Sequence, residues 1–199
     1  MKRIIGLTGG IATGKSTVAN YLAGTYKLPI LDADMYARDA VGVGSPILTQ
    51  IAQRYSHQNI LLASGELNRT KLGEIIFTNL EKRLWVESLI HPYVKERFNQ
   101  EIAVSPSNIL VLVIPLLFEV EMTDLTTEIW VVSCSESQQV QRLMQRNNLT
   151  LEQAQARIKS QMPIAEKIAR ADVVLDNSQN LETLLKQVDK ILFDNDTVG

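Results

Sequence analysis

The apolar residues of this chain fall into short continuous runs that alternate with stretches of helical period. A short apolar run bounded by glycine, proline or acidic residues predicts a strand buried on both faces. Such strands are predicted over Arg3–Thr8, Leu28–Leu31, Ile109–Ile114, Glu128–Cys134 and Asp172–Leu175. Helices are predicted between or after them, over Ser16–Tyr26, Ser137–Arg146, Leu151–Gln161 and Leu181–Phe193. This alternation predicts an α/β fold with a five-stranded parallel sheet flanked by helices.

The stretch from Met35 to Ala103 has a different pattern. Helical period dominates there, with breaks predicted at residues 42–44, at residues 63–65 and at His91-Pro92. We interpret this stretch as a helical lobe inserted between the second and third strands. No internal repeat, low-complexity tract or linker divides the sequence. Residues 1–199 are therefore predicted to form a single domain with an insertion at about 35–103.

Composition narrows the class of protein. The chain has 199 residues, of which 45% are hydrophobic and 21% charged, and its formal net charge of −2 provides no basic field for nucleic acid or anionic membranes. The single cysteine, Cys134, fits a reducing compartment. The apolar run over residues 109–118 contains Pro115 and is far shorter than the roughly 20 residues that span a bilayer. We expect a cytoplasmic protein without nucleic acid or membrane partners.

The sequence GGIATGKST, residues 9–17, lies between the first predicted strand and helix and fits the pattern G-x-x-x-x-G-K-[ST]. Glycines let such a loop curl until backbone N–H groups converge on an anion, and the following helix N-terminus adds positive charge. Lys15 would reach the β- and γ-phosphates of ATP, and the Ser16 hydroxyl would hold Mg²⁺. The structural alternative is a tight strand-to-helix turn with a solvent-facing lysine. The predicted ATP-binding residues of this loop are Gly10, Ile11, Ala12, Thr13, Gly14, Lys15, Ser16 and Thr17.

A phosphate-binding loop alone does not distinguish a kinase from a GTPase, a motor or a transport ATPase. The guanine-specifying pattern N-K-x-D is absent, and the length leaves little room for the accessory domains of motors or transporters. A small-molecule kinase is the favoured interpretation. A nucleotide or nucleoside kinase and a nucleotide-dependent switch with a protein partner remain as alternatives.

Two aspartates, Asp32 and Asp34, end the second predicted strand in the sequence LDAD. Ligands of open parallel sheets lie beyond the carboxyl ends of the strands. A carboxylate there can accept the proton of an attacking hydroxyl or hold Mg²⁺ through water. The alternative is an N-cap for the next helix. We expect the functional role at Asp34 more than at Asp32.

Arg142 and Arg146 are four residues apart and share one face of a predicted helix. Such a pair can close over a transferring phosphoryl group as a lid, or it can be a solvated helix face. Arg157 and Gln161 repeat the spacing with the same ambiguity. His91, before Pro92, has either a site role or a role at a helix junction.

Taken together, these segments resemble one family. TGGIATGKSTVA, LDADMYAR, IHP, IPLLFE, RLMQR and ADVVLDNS resemble dephospho-coenzyme A kinases, in that order and along nearly the whole chain. The resemblance implies a P-loop NTPase fold with a helical substrate lobe and a lid at about 138–165. It implies ATP-dependent phosphorylation of the ribose 3′-hydroxyl of dephospho-coenzyme A, with Mg²⁺ accompanying ATP. We expect a monomer or a small homo-oligomer.

The resemblance also implies individual roles. Asp34 matches the catalytic aspartate, with Lys15 and Arg142 as the other catalytic residues. Arg146 belongs with Arg142 to the lid, and Asn177 lies where adenine contacts are expected. The implied substrate-binding residues are Asp34, Arg38, His91, Leu117 and Glu119. No apolar run ending in a Walker B aspartate is found, so Ser16 is the only direct protein ligand of Mg²⁺ that the sequence identifies.

Overall fold

The computed structural model describes residues 2–194 and contains one sheet, in the strand order β2-β3-β1-β4-β5. Its central strand β1 pairs in parallel with β3 and β4, and β4 pairs in parallel with β5. The strands are β1 (Arg3–Gly9), β2 (Ile30–Asp32), β3 (Ile109–Val113), β4 (Glu128–Ser133) and β5 (Val173–Asp176). The α/β fold class with a five-stranded parallel sheet is confirmed.

The described residues divide into two compact units, and the sheet belongs almost entirely to the first. This unit comprises the chain up to Leu31 and the chain from Ser105 onward. Its helices are α1 (Lys15–Tyr26), α6 (Glu136–Asn147), α7 (Leu151–Lys159), α8 (Ile164–Ala169) and α9 (Leu181–Asp194). Helix α8 is absent from the sequence prediction, because six residues are too few to show a helical period.

The core of the sheet unit lies where α1 and α9 pack against the strands. Alternate residues of β1, β3, β4 and β5 point into this cluster, together with apolar residues of the two helices. Trp130 at the centre of β4 is fully buried. Because Gly9, Ser133 and Asp176 end parallel strands, the segments that follow them emerge at one edge of the sheet.

The second unit, Asp32–Val104, is helical and has its own apolar core. Its helices are α2 (Ala33–Ala40), α3 (Pro46–Arg54), α4 (Arg69–Phe77) and α5 (Leu80–Val104). The breaks predicted at residues 42–44 and 63–65 fall between helices. Among residues 2–194, no helix combines the length and the apolar character needed to cross a bilayer.

The break predicted at His91-Pro92 is wrong, because α5 continues through Pro92. Proline removes one backbone N–H and disfavours a helix interior. Pro92 is exposed, so the carbonyl group that loses this donor can bind water instead. Buried Val86 and Val94 on either side keep the helix packed across the position.

Candidate active site

The loop from Gly9 to Gly14 connects β1 to α1 and has unusual backbone angles. Gly9, Ala12 and Gly14 have φ values of 147°, 61° and 110°. A Cβ atom at Gly9 would overlap the carbonyl oxygen of Val132 on the neighbouring strand, so only glycine fits there. Ala12 is not glycine, and its left-handed φ persists only because surrounding contacts hold it. The loop therefore has one tightly constrained conformation.

Lys15 and Thr13 make hydrogen bonds within this loop. The Lys15 Nζ donates to the carbonyl oxygens of Gly9 and Gly10, at 3.0 and 2.7 Å. The buried Thr13 hydroxyl donates to the Gly10 carbonyl at 2.9 Å. The ammonium group consequently lies over the loop, where it can contact an anion held by the loop N–H groups. The Thr13 hydroxyl stabilises the loop from inside.

Helix α1 begins at this loop with an N-terminus suited to an anion. Gly14 is its N-cap residue and has no side chain with which to cap the first turn. The first N–H groups of a helix lack intrahelical acceptors and carry the positive end of the helix dipole. Ser16 and Thr17 are exposed in this turn, so their hydroxyl groups are accessible. The arrangement is that of a phosphate site.

Three side-chain amides from outside the loop hold its backbone. Gln139 Nε2 on α6 donates to the Ile11 carbonyl at 2.9 Å, and the Ile11 N–H donates to Gln161 Oε1 at 2.8 Å. Asn177 Nδ2, after β5, donates to the Thr13 carbonyl at 2.8 Å. Both backbone polar groups of Ile11 thus have protein partners. If the loop binds phosphate as predicted, the N–H groups that do so belong to residues of the predicted set other than Ile11.

Sequence reasoning missed Gln139. It left the role of Gln161 open and placed Asn177 near adenine rather than on the loop. Gln139 is 2% exposed, although most of the residues in its helix are polar. Its burial depends on residues more than a hundred positions away, which no local pattern reveals.

Arg142 and Arg146 have different environments, although they lie on the same helix. Arg142 is half-buried, and its Nη2 donates to the carbonyl of Asn177 at 3.0 Å. Arg146 is exposed, and its Nε donates to the side chain of Asn147 at 2.9 Å. Burial raises the pKa of the nearby Cys134 thiol, while Arg142 acts to lower it. Arg142 therefore has a structural contact in addition to its predicted role.

Asp32 has the capping role of the two roles that the sequence left open, and the role of Asp34 stays a prediction. Asp32 is the N-cap of α2, and its Oδ1 accepts the N–H of Asp34 at 2.8 Å. Asp34 and Arg38 are exposed and lie four residues apart on this helix. The opposite face of α2 is held by Tyr36, whose ring meets that of Phe98 edge-to-face with centroids 5.0 Å apart. The exposed face of α2 thus presents a carboxylate and a guanidinium group.

His91 lies within α5 of the same helical unit and is half-buried. Burial lowers the pKa of this imidazole from 6.5, and the nearby Glu87 partly opposes the change. A neutral imidazole at neutral pH can accept or donate a hydrogen bond. These properties suit a binding contact as well as a packing role.

Leu117 and Glu119 lie in the segment that follows β3. Leu117 is fully buried and packs against Gly6 of β1, which favours a packing role over the predicted substrate contact. Glu119 Oε1 lies 2.8 Å from Nζ of the fully buried Lys167 and accepts the N–H of Met162 at 3.0 Å. The Glu119 carboxylate therefore links this segment to the start of α8.

A Mg²⁺ ion accompanying ATP needs few protein ligands. Among residues 2–194 there is no group of three or more His, Cys, Asp or Glu side chains that could hold a metal ion by itself. Mg²⁺ keeps several waters and binds through one or two protein groups together with substrate phosphates. The exposed Ser16 hydroxyl in the first turn of α1 is compatible with such a site.

Comparison with known proteins gives the family. The model of the family described as dephospho-CoA kinase matches residues 3–183. The chain belongs to the dephospho-CoA kinase family. A dephospho-CoA kinase of Trichormus variabilis is 72% identical over 188 residues, which cover 94% of this chain and 95% of that protein.

Two solved structures have the same fold as this chain. A dephospho-CoA kinase structure from Campylobacter jejuni has a TM-score of 0.74 and 28% identity, covering 98% of this chain and 97% of that one. The structure of TT1252 from Thermus thermophilus has a TM-score of 0.83 and 30% identity, covering 100% of this chain and 99% of that one. The resemblance read from the sequence is confirmed. The chain is a kinase, as predicted.

Proposed function

We infer that this chain transfers the γ-phosphoryl group of ATP to the ribose 3′-hydroxyl of dephospho-coenzyme A, the final step of coenzyme A synthesis. The observation that supports this most strongly is the anion-binding loop from Gly9 to Gly14, in a chain of the dephospho-CoA kinase family. The loop supplies the phosphate site that a kinase requires, and the family identifies the acceptor.

The phosphate site is proposed to work through Lys15 and the first turn of α1. Lys15 already lies over the loop, and its charge stabilises the negative charge that develops as the phosphoryl group transfers. Arg142 and Arg146 act on the same charge from α6, within the proposed lid at about 138–165. Asn177 contributes to ATP binding at least through the loop that it holds.

Mg²⁺ is proposed to enter together with ATP. The ion neutralises phosphate charge when bound, and Ser16 is the residue that would hold it. The other ligands of the ion are expected to be phosphate oxygens and water, in keeping with its chemistry.

The acceptor is proposed to bind the helical unit Asp32–Val104. Asp34 is the general base, because it is an exposed carboxylate in the first turn after β2 while Asp32 performs the capping. Arg38, one turn later, is suited to an anionic group of the acceptor. His91 is proposed as a further substrate contact. We also propose a cytoplasmic location and a monomeric or small homo-oligomeric state, which light scattering on the purified protein would measure.

Lys15→Ala tests the phosphate site. Loss of one transition-state contact of this kind costs about 3 kcal/mol, so turnover should fall about a hundredfold. Lys27→Ala, on an exposed lysine just after α1, is the matched control. Turnover of Lys15→Ala near that of the unsubstituted enzyme would contradict the assignment of this loop.

Asp34→Asn tests the base. Asparagine keeps the shape but cannot accept the proton, so turnover should fall by roughly a hundred- to ten-thousandfold while ATP and dephospho-coenzyme A still bind. Calorimetric titration of both ligands accompanies the kinetics, and Asp39→Asn, exposed on the same helix, is the control. Loss of ATP binding without a specific loss of turnover would instead place Asp34 near the metal.

A further inference from the structure

Two glutamines from separate segments hold the backbone of one residue of the phosphate-binding loop, Ile11. The Ile11 carbonyl accepts from Gln139 on α6, and the Ile11 N–H donates to Gln161, which follows α7. A backbone N–H can only donate and a carbonyl can only accept, so the two partners fix the orientation of both amide groups. Gln139 is 2% exposed, so its side chain is almost entirely removed from water.

These two hydrogen bonds lie next to the strained residue of the loop. Ala12 has φ 61°, a conformation that a residue with a side chain rarely adopts. The Ile11 carbonyl before it accepts from Gln139, and the Thr13 carbonyl after it accepts from Asn177. Hydrogen bonds on both sides of Ala12 therefore determine the loop conformation, which a free loop of this sequence would not maintain.

Gly10 is shaped to admit one of these side chains. A Cβ atom at Gly10 would overlap Nε2 of Gln139, so the absent side chain leaves the space that the carboxamide occupies. A side chain at this position would displace the Gln139 carboxamide from the loop.

The residue after Gln161 is hydrogen-bonded to a partly buried ion pair. The next residue, Met162, donates its N–H to Glu119 at 3.0 Å. Glu119 pairs with the fully buried Lys167, which also donates to the Pro115 carbonyl at 3.0 Å. A continuous set of contacts thus runs from the segment after β3, through the start of α8, to the phosphate-binding loop.

We propose that Gln139 and Gln161 are positioning residues for phosphoryl transfer. By fixing the peptide groups on both sides of Ile11, they hold the following N–H groups in the arrangement that receives the phosphates of ATP. Gln161 also ties this arrangement to the segment between α7 and α8. The proposal rests on the proposed function of the loop and assigns neither glutamine a contact with the nucleotide.

The test replaces each glutamine by methionine, which has a similar length and no amide. Gln139→Met and Gln161→Met should each lower kcat/KM for ATP about tenfold, because each leaves a backbone group of the loop without its partner. KM for dephospho-coenzyme A should stay within about threefold of the unsubstituted value, since the loop binds the other substrate. Gln145→Met, exposed on α6, is the control and should behave as the unsubstituted enzyme.

Gln161→Glu distinguishes positioning from packing. A glutamate keeps an oxygen that can accept the Ile11 N–H, so at high ionic strength, where added charge is screened, it should recover most of the kcat/KM that Gln161→Met loses. Melting temperatures identify any general loss of folding. The proposal is overturned if both methionine variants retain kcat/KM for ATP, or if Gln161→Glu is no better than Gln161→Met.

Lys15→Ala separates this proposal from the proposed function. If the methionine variants are fully active and Lys15→Ala is inactive, the positioning role of the glutamines is wrong and the proposed function of the loop stands. An active Lys15→Ala would instead remove the assignment of the loop itself.

Discussion

Replacing Glu119 by glutamine tests whether this side chain anchors the segment after α7 or contacts the substrate. Glu119 Oε1 lies 2.8 Å from the ammonium group of Lys167, which is fully buried. Glutamine has the same size but no charge, so the substitution leaves the buried ammonium without this counter-charge. The resemblance to the family implies a substrate contact, whereas the contacts in the structure favour an anchor.

The expected loss of stability follows from the burial of the pair. Removing one partner of a buried ion pair typically costs about 3–5 kcal/mol, and the 22% exposure of the Glu119 side chain places the cost near about 3 kcal/mol. For a chain of this length that corresponds to a melting temperature lower by about 6–12 °C. Lys167→Met should lower the free energy of unfolding by less, about 1–2 kcal/mol. The Glu119 carboxylate that remains reaches water and still accepts the hydrogen bond from the Met162 N–H.

Thermal unfolding and steady-state kinetics on the same preparations separate the two roles. Glu121→Gln, on an exposed glutamate nearby, is the matched control and should leave the melting temperature unchanged. If Glu119 is an anchor, Glu119→Gln should have a lower melting temperature than Lys167→Met, and both should have a lower melting temperature than the control. An unchanged melting temperature with a KM for dephospho-coenzyme A raised several-fold would refute the anchor and support a substrate contact.

Three further substitutions test α6 and α5. Arg142→Ala should reduce turnover, and the loss of its hydrogen bond to Asn177 should also lower the free energy of unfolding by about 1 kcal/mol, or the melting temperature by about 3 °C. Arg146→Ala should reduce turnover while changing the free energy of unfolding by less than about 0.5 kcal/mol. Equal melting temperatures for the two variants would contradict this difference. Burial lowers the pKa of His91 from 6.5, so the unfolded chain takes up a proton at a pH where the folded chain does not. The free energy of unfolding should therefore decrease as pH falls below about 6.5, and His91→Gln should decrease less; identical pH profiles would show that His91 does not contribute.

The sheet and the phosphate-binding loop could be predicted because their signals are local. Buried parallel strands are continuous apolar runs, and a glycine-rich loop between a strand and a helix occupies consecutive positions. The predicted β1, Arg3–Thr8, differs from the observed Arg3–Gly9 by one residue. Capping at Asp32 was visible as an alternative in the sequence, and only the bond to the Asp34 N–H decided it.

The contacts that stabilise the loop could not be predicted, because they join distant residues. Gln139 and Ile11 are 128 positions apart, and Gln161 and Ile11 are 150 apart. Lys167 gave no signal either, since lysine is rarely fully buried unless it is paired. Pro92 misled the prediction for a related reason: the local rule against proline in a helix takes no account of the tertiary packing that holds α5 together.

The most direct measurement of the central claim is product formation by the purified protein with ATP, Mg²⁺ and dephospho-coenzyme A. ADP and coenzyme A are quantified together, and phosphorus NMR locates the new phosphate on the ribose. Nucleosides and nucleoside monophosphates serve as alternative acceptors, and Lys15→Ala serves as the background. A dephospho-CoA kinase should give equimolar ADP and coenzyme A, a phosphate on the 3′-oxygen, and slow turnover with the other acceptors. Coenzyme A formation no faster than in Lys15→Ala, or faster phosphorylation of a nucleoside or nucleotide, would contradict the central claim.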